Sequence, residues 1–195
     1  MDIITGISFQ DELFKNVEYQ EETFTKKEFE NCRFINCNFS SSHFIACYFE
    51  DCAFENCNLS MIHVDDSLFR DVIFTNSKLI GVLWSEARRK GFSQSIYFKS
   101  SFVNYSSFHM VDLQKCKFDD VSAIEADFSE ANLSKVKLNN MDLSGATFYH
   151  TNLKTADFTT ARNYMFNPSE NQVKDATFSL PDVVNLLYPF GLKVE

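Results

Sequence analysis

The sequence predicts an all-β solenoid in which four segments of five residues make each four-sided coil. Two observations predict it. An apolar residue recurs at every fifth position over most of the 195-residue chain, and polar residues recur at every twentieth position. Twenty is four times five, so equivalent residues stack from coil to coil around one shared core. The length fits one continuous domain.

The five-residue period runs in two series that are apolar at every position. An α-helix would place apolar residues at i, i+3, i+4 and i+7, and a half-buried strand would alternate them. A period of five therefore indicates one inward-facing centre in each segment. The first series is Phe9, Phe14, Tyr19, Phe24, Phe29, Phe34, Phe39, Phe44, Phe49, Phe54, Leu59, Val64, Phe69, Phe74, Leu79 and Trp84. The second series is Phe98, Val103, Phe108, Leu113, Phe118, Ala123, Phe128, Leu133, Leu138, Leu143, Phe148, Leu153 and Phe158.

Polar columns mark the corners of the predicted coil. Asn and Asp tolerate turn conformations, and stacked Asn amides hydrogen-bond to one another, so such columns suit a corner. The columns are Asn16, Asn36, Asn56 and Asn76, and Asp11, Asn31, Asp51 and Asp71. The sixteen and thirteen centres, at four per coil, give about seven coils and a rod roughly 35 Å long. Both ends of such a rod are open edges that need covers.

A second inward position lies two residues before each centre, and it holds all six cysteines. Their spacing of five puts neighbours on successive faces rather than around one metal ion, so we interpret them as small core residues. They are Cys32, Cys37, Cys47, Cys52, Cys57 and Cys116. His43 and His63 also stack one coil apart. A two-histidine site is conceivable there, although outward surface histidines are the favoured interpretation.

Composition and motifs exclude several function classes. The formal net charge of −9 argues against a broad basic surface for nucleic acid. The chain has no P-loop, dinucleotide-binding, zinc-protease or serine-hydrolase motif, and no nucleophile–base spacing, so we expect no enzyme, no cofactor and no metal. The N-terminus lacks a signal peptide and no apolar run has the length of a membrane helix, so we expect a cytoplasmic protein.

Two irregular segments divide the repeat into four parts. Residues 1–84 form N-terminal coils, 85–97 an interruption, 98–178 C-terminal coils, and 179–195 a capping helix with a tail. The gap from Trp84 to Phe98 is one residue short of three repeats. The interruption is therefore either a projecting loop or an irregular coil. It carries the basic triplet Arg88, Arg89 and Lys90.

The C-terminal part predicts a short helix that covers the last coil. Pro181 suits its first turn, and Pro189 and Gly191 end it. Its apolar residues would pack on the coil, and the part left exposed could meet a second copy of the chain. These residues are Val183, Val184, Leu187, Tyr188 and Phe190.

The five-residue segments have similar sequences, among them CNFSS, CAFEN, CNLSM, ADFSE, ANLSK, MDLSG, TNLKT and ADFTT. This pattern resembles the pentapeptide-repeat family over residues 9–84 and 98–158. The resemblance implies a right-handed quadrilateral parallel β-helix. The overall plan is similar to that of the Qnr-type quinolone-resistance proteins and the microcin B17 immunity protein. That resemblance implies a protein shaped like duplex DNA that binds and protects a type II topoisomerase, and a homodimer formed through the C-terminal helix.

One face of the predicted rod carries carboxylates at one-coil intervals, which we call the acidic face. Its residues are Asp11, Glu28, Glu30, Glu50, Asp51 and Asp71. We expect a binding protein that mimics DNA, in which this face occupies the DNA site of DNA gyrase and Arg88, Arg89 and Lys90 contact the enzyme outside it. The alternative is an interaction scaffold or immunity factor with another partner. Neither hypothesis involves direct contact with nucleic acid or membrane.

Overall fold

The computed structural model describes residues 3–87 and 94–194, which form a solenoid of stacked parallel coils. The predicted solenoid is confirmed. Its strands are β1 (Ser8–Gln10), β2 (Leu13–Lys15), β3 (Thr23–Thr25), β4 (Glu28–Glu30), β5 (Arg33–Ile35), β6 (His43–Ile45), β7 (Tyr48–Glu50), β8 (Ala53–Glu55), β9 (Leu68–Arg70), β10 (Val72–Thr75), β11 (Ile96–Lys99), β12 (Lys117–Asp119) and β13 (Leu138–Asn139). The described residues also form three 3-10 helices, Trp84–Glu86, Pro168–Glu170 and Asp182–Phe190. None of these helices could cross a membrane.

Each coil has four faces, which we number in chain order from the first centre. Face 1 begins with Phe9, face 2 with Phe14, face 3 with Tyr19 and face 4 with Phe24. Face 1 carries the parallel sheet β1-β4-β7-β9, and face 2 carries β2-β5-β8-β10-β11-β12-β13. Face 4 carries the pair β3-β6, and isolated parallel bridges continue the other faces. The strands are short because every face must turn a corner after five residues.

Left-handed corner residues let the chain turn at regular intervals. Asn16, Asn36 and Asn56 have φ of 54°, 53° and 54°. Asn adopts this conformation more readily than most residues with a side chain. The Nδ2 of Asn36 donates to Oδ1 of Asn16 at 3.2 Å, and the Nδ2 of Asn56 donates to Oδ1 of Asn36 at 3.4 Å. The predicted asparagine ladder is therefore present from Asn16 to Asn56.

Columns of aromatic rings fill the N-terminal coils. On face 2 the rings of Phe14 and Phe34 stack with centroids 4.9 Å apart, and those of Phe34 and Phe54 with centroids 4.4 Å apart. Adjacent faces meet edge to face, as between Phe29 and Phe34, whose centroids are 5.5 Å apart. Each ring is thus held by neighbours above, below and beside it, and the inward direction predicted for the centres is confirmed.

The position two residues before each centre joins consecutive coils. Cys52 and Cys57 donate their thiol hydrogens to the carbonyl oxygens of Phe29 and Phe34, respectively, and each sulfur-to-oxygen distance is 3.4 Å. Ser77 makes the same contact with the Phe54 carbonyl oxygen at 3.3 Å. All six cysteines are buried and free. Burial raises the pKa of Cys116 to about 12, so its thiol stays protonated and acts as a small core group.

The coil that contains the interruption is longer than the others. Phe74 pairs with Phe98 and Leu83 with Ser107, an offset of 24 residues in place of 20. The repeat therefore gains four residues here, and both adjoining coils stay in register. Residues 88–93 lie outside the described residues.

Gln94 hydrogen-bonds to the last described strand of face 1, β9, through its side chain. Its side chain is buried, and its Oε1 accepts a hydrogen bond from the backbone N–H of Phe69 at 2.7 Å. Its Nε2 donates to the carbonyl oxygens of Ser67, at 3.3 Å, and Ala87. An amide side chain thus supplies the donor and the acceptor that a backbone peptide supplies elsewhere, which leaves no buried backbone group of Phe69 unsatisfied.

Ile3 and Lys27 close the N-terminal end of the rod. Ile3 is buried in the main core. Lys27 is also buried, and its Nζ donates to the carbonyl oxygens of Ile4, at 2.8 Å, and Gly6. A buried ammonium is tolerated when its hydrogens have acceptors. The lysine therefore ties the first residues of the chain across the open coil.

The C-terminal coil extends beyond the last centre of the second series. The Phe178 ring stacks on that of Phe158 with centroids 5.0 Å apart, and Asp157 pairs with Thr177. Buried Tyr164 lies beside both rings. The chain thus makes an excursion after Phe158 and then returns to face 2.

The capping helix differs from its prediction in type and in the face it buries. Asp182–Phe190 is a 3-10 helix, with Gly191 at φ 73° as its C-cap and Pro189 inside it. Three residues per turn align Val183 with Leu186. Leu186 is buried and Val183 packs on the core. Val184 is half-buried, whereas Leu187 and Tyr188 are exposed. The cap therefore buries Leu186, which the predicted face did not include, because that face was spaced as in an α-helix; Val183 packs on the core as expected.

Candidate protein-interaction surface

The acidic face lies where the sequence placed it, on face 1 of the first coils. Glu28 and Glu30 flank the inward Phe29 on β4, and their strand is paired with β1 and β7 in register. Residues two apart on a strand project to the same side, so both carboxylates point outward. Both side chains are exposed, as are those of the other members except Glu50.

The aspartates of the acidic face occupy its corner with face 2. Asp11, Asp51 and Asp71 have φ of 56°, 51° and 52°. Asn31 completes this column, and its Nδ2 donates to Oδ1 of Asp11 at 2.5 Å. The hydroxyl of Ser95 donates to Oδ1 of Asp71 at 2.7 Å. These hydrogen bonds fix the direction of two carboxylates and leave the column acidic.

Glu50 is the partly neutralised member of the acidic face. Its Oε1 accepts from Nη1 of Arg70 at 2.8 Å, and its Oε2 accepts from the hydroxyl of Tyr48 at 2.5 Å. The Tyr48 hydrogen bond and then the Arg70 guanidinium lower the pKa of this carboxyl. The Arg70 guanidinium also lies over the Tyr48 ring, 5.5 Å from its centroid. The regular series of free carboxylates that the sequence suggested for the acidic face is therefore interrupted at Glu50.

The net charge of the face stays strongly negative. Residues 8–11, 28–31, 48–51 and 68–71 contain the six carboxylates and one guanidinium, which leaves −5. Three coil spacings of about 4.8 Å separate the first level from the last, so the face carries roughly one net negative charge per 3 Å. A single DNA strand carries one per about 3.4 Å of axis. The two linear charge densities are similar.

The predicted contact triplet Arg88, Arg89 and Lys90 lies outside the described residues. The chain leaves the described part at Ala87 and re-enters it at Gln94, and these two residues are joined by a side-chain hydrogen bond. Gln94 and Ser95 contact Phe69 and Asp71, respectively. Both ends of the segment are thus anchored at the last level of the acidic face.

A basic cluster that the sequence analysis missed continues the corner between faces 1 and 2. Four exposed lysines lie on two successive coils beyond Ser95, and we call them the basic corner. They are Lys115, Lys117, Lys135 and Lys137. Lys117 pairs with Tyr97 in the face-2 sheet, and its Nζ lies 6.0 Å from the centroid of the Tyr97 ring. In the sequence these lysines recur at a spacing of twenty residues. The prediction of a basic contact relied on three consecutive basic residues instead.

The C-terminal cap leaves several apolar side chains exposed. Leu187, Tyr188 and Phe190 have exposed fractions of 39%, 46% and 52%. Leu180, Leu192 and Val194 are exposed nearby in the sequence. Several large apolar side chains exposed within one short segment are a feature of association surfaces.

His109 and His150, which have no histidine one coil above or below them, form no catalytic arrangement with the neighbours described here. Nδ1 of His109 lies 3.1 Å from the Ser129 carbonyl oxygen, and the His150 ring meets the Tyr149 ring with centroids 4.0 Å apart. Neither pairing supplies a nucleophile. Among residues 3–87 and 94–194, the core is filled mostly by side chains of the centres and of the position two before them, together with others such as Ile3, Tyr164, Phe166 and Leu186.

Comparisons with known structures show the same fold in other proteins. Two trypsin-treated variants of QnrB1, a plasmid-mediated fluoroquinolone resistance protein, match with TM-scores of 0.64 and 0.62 at 20% and 21% identity. The first match covers 100% of this chain and 95% of that chain, and the second covers 96% and 100%. HetL from the cyanobacterium Nostoc sp. strain PCC 7120, which is involved in heterocyst differentiation regulation, matches with a TM-score of 0.55 at 15% identity over 90% of each chain.

Family models and sequence searches complete the comparison. No curated protein sequence matches the chain. The family model described as a pentapeptide repeat region matches residues 27–108, and the model described as pentapeptide repeats (8 copies) matches residues 124–162. The two matches lie on both sides of the long coil and agree with the solenoid and its five-residue period. This chain belongs to the pentapeptide-repeat family.

Proposed function

We propose that this protein is a non-enzymatic binding protein whose acidic face mimics DNA and occupies the DNA site of a type II topoisomerase, DNA gyrase. The charge spacing of that face carries the proposal, because a rigid surface with one net charge per roughly 3 Å resembles a phosphate backbone. The Qnr-like plan of the fold supports it. The protein would act in the cytoplasm, where the topoisomerase acts.

The proposed binding is electrostatic and therefore sensitive to salt. Interactions between exposed charges are screened over about 10 Å at 0.1 M salt. Affinity for gyrase should fall steeply as salt rises, and reversal of the charges on the acidic face should abolish binding. The segment from Arg88 to Lys90 would contact the enzyme beside its DNA site.

A supercoiling assay with purified gyrase, with and without a fluoroquinolone, tests this proposal. We expect the protein to change supercoiling or to restore it in the presence of the drug. The variant Glu28→Lys, Glu30→Lys, Asp51→Lys should lose the effect. The variant Glu21→Lys, Glu125→Lys, Glu130→Lys carries the same change of net charge at other corners and should keep it. Absence of binding to gyrase and to topoisomerase IV at low salt overturns the proposal.

The second candidate is an interaction scaffold or immunity factor with another partner. The basic corner favours it, because its four lysines form an exposed charged surface that the proposed contact with the DNA site does not use. A pull-down with the wild-type protein distinguishes the two. Capture of a non-topoisomerase protein that survives the acidic-face triple change but is lost on Lys115→Glu, Lys135→Glu supports this candidate.

We also propose that the exposed apolar surface of the C-terminal cap joins two copies of the chain. Tyr188 and Phe190 would bury their rings in the partner copy, while Leu186 remains in the protomer's own core. Light scattering after size-exclusion chromatography should show a dimer, and Tyr188→Glu, Phe190→Glu should convert it to a monomer with unchanged far-ultraviolet dichroism. A wild-type monomer at all concentrations contradicts the proposal.

A further inference from the structure

Two histidines and an aspartate on face 4 lie close enough together to bind one metal ion. The ligating atoms of His43, His63 and Asp65 all lie within 4.8 Å of one another. We propose that these three side chains form a binding site for a divalent transition metal ion such as Zn²⁺ or Ni²⁺. The site is separate from the acidic face and does not depend on the proposed topoisomerase binding.

The solenoid backbone holds the two histidines at a fixed spacing. His43 and His63 form a parallel bridge on face 4. The His63 N–H donates to the Ser42 carbonyl oxygen at 2.9 Å, and the Phe44 N–H donates to the His63 carbonyl oxygen at 2.8 Å. The imidazole rings are stacked with centroids 4.2 Å apart and an angle of 1° between their planes. The backbone pairing thus fixes the spacing of the two histidines, while their side chains remain free to turn towards one ion.

Asp65 completes the set from the same segment as His63. Val64 lies between them and points into the core, so the side chains of residues 63 and 65 project to the same outer side. Among the described residues, no hydrogen bond is made to a ring nitrogen of His43 or His63, or to a carboxylate oxygen of Asp65. Their lone pairs are therefore available to a ligand from solvent.

The residues that flank the site on face 4 carry no positive charge that would repel a cation. In the column of the histidines, Thr23 pairs with His43 from below and Leu83 follows His63 by twenty residues. In the column of Asp65, the flanking residues are Ile45 and Ser85. None of these four side chains is positively charged, and the corner residue Asp66 adds a second carboxylate nearby.

The donor set selects the class of metal. Imidazole nitrogens suit Zn²⁺, Ni²⁺ and Cu²⁺, and a carboxylate is a common third ligand of Zn²⁺, with water completing four-fold coordination. Zn–N bonds of about 2.0–2.1 Å place two ligating nitrogens roughly 3.3 Å apart in a tetrahedral site. Because His43 is only half-buried and His63 is exposed, rotation of their side chains can close the remaining distance. The bound ion would link two successive coils.

Isothermal titration of the full chain with zinc chloride and with nickel chloride tests the site. We expect one ion per chain, and affinity lowered about tenfold or more in each of His43→Gln and His63→Gln, with a smaller loss in Asp65→Asn. His150→Gln serves as the matched control, because it removes a histidine that has no histidine above or below it. Unchanged affinity in either histidine variant overturns the proposal, as does the absence of binding at millimolar metal.

Two further measurements exclude other sources of binding. Co²⁺ in place of zinc should give no thiolate charge-transfer band, since the six buried cysteines take no part; such a band overturns the assignment. Metal should raise the thermal unfolding midpoint of the wild type and of His150→Gln, but not of His63→Gln. A matching far-ultraviolet spectrum for His63→Gln shows that the variant is folded, so its lost response reports the site itself.

Discussion

The N-terminal and C-terminal coils share one backbone path but fill it with different side chains. From Phe24 to Phe54 the centre is Phe on all four faces, and from Cys32 to Cys57 the residue two before each centre is Cys or Ser. In the last coils, Leu, Val and Ala alternate with Phe as centres, and Ala is common at the preceding inward position. Both regions pair in parallel with the same register step. The coil is thus specified by the pattern of small and large inward residues rather than by their identity.

The outer surfaces of the two regions differ even more. One corner carries Asp11, Asp51 and Asp71 in the first coils and Lys115 and Lys135 in the later ones. The long coil lies between these two groups. The rod therefore has a change of charge sign along one edge, and the comparison shows that a solenoid can vary its exposed corners without changing its core.

The largest expected difference between the regions is in the stability lost when a core centre is truncated to alanine. Phe54→Ala should lower the free energy of unfolding by about 3–5 kcal/mol, and Leu133→Ala by about 2–5 kcal/mol. The aromatic change should be the greater, because Phe54 also loses ring stacking on Phe34 and Phe74, about 0.5–1.5 kcal/mol each. Urea unfolding followed by circular dichroism measures both values. An equal or larger loss for Leu133→Ala would show that the stacks add nothing to burial.

A smaller effect is expected at the junction between the regions. Gln94→Ala should cost about 1–3 kcal/mol, because the buried N–H of Phe69 and the Ala87 carbonyl oxygen lose their partner. Amide hydrogen exchange at Phe69 should accelerate, while exchange in the C-terminal coils stays slow. Gln114→Ala is the control, since that glutamine is exposed. Unchanged exchange at Phe69 in Gln94→Ala contradicts the role given to this side chain.

A further test exchanges the small inward residues of the two regions. Cys52→Ala removes a thiol hydrogen bond to Phe29 and should cost about 1 kcal/mol. Ala126→Ser introduces the donor that the N-terminal coils use and should be close to neutral. In the folded protein none of the six thiols should react with a thiol-specific reagent, because all six are buried and out of the reagent's reach. Rapid reaction of native Cys116 would contradict its placement.

The smallest expected effect is a loss of stability of the C-terminal coils as the pH falls. Hydrogen bonds, above all from the Thr159 hydroxyl, lower the pKa of Asp157. A carboxyl whose pKa is lowered by folding stabilises the protein above its unfolded pKa, near 4, and loses that contribution as pH falls through the folded value. Asp157→Asn keeps an acceptor oxygen for Thr159 but cannot titrate. Its stability should therefore fall less than that of the wild type between about pH 5 and pH 2. Identical pH profiles would refute this assignment.

The sequence predicted the coil well because its period is a direct consequence of the geometry. The inward direction of Phe34, the ladder from Asn16 to Asn56 and the positions of the acidic face all followed from spacings of five and twenty. Details that depend on side-chain contacts did not follow. The Arg70–Glu50 ion pair requires knowledge of rotamers, and the strand-like role of Gln94 requires knowledge of where the extra residues leave the coil.

Two features were missed for more specific reasons. The buried Leu186 was overlooked because a helix was assumed to have 3.6 residues per turn, whereas the cap has three. The basic corner was overlooked because its lysines are twenty residues apart, and a triplet of neighbouring charges was more conspicuous. The same twenty-residue frame that identified the acidic column identifies the basic one.

The N-terminal end of the rod is covered by side chains of the chain itself. A parallel solenoid ends in a row of backbone groups that match its opposite end, so uncovered ends could join head to tail into an open-ended fibre. Ile3 plugs the first coil and the Lys27 ammonium ties residues 4–6 over it. One isoleucine and one lysine thus cover the first coil, as the C-terminal cap covers the last, and removal of the first six residues should expose this edge and increase self-association, measurable by light scattering.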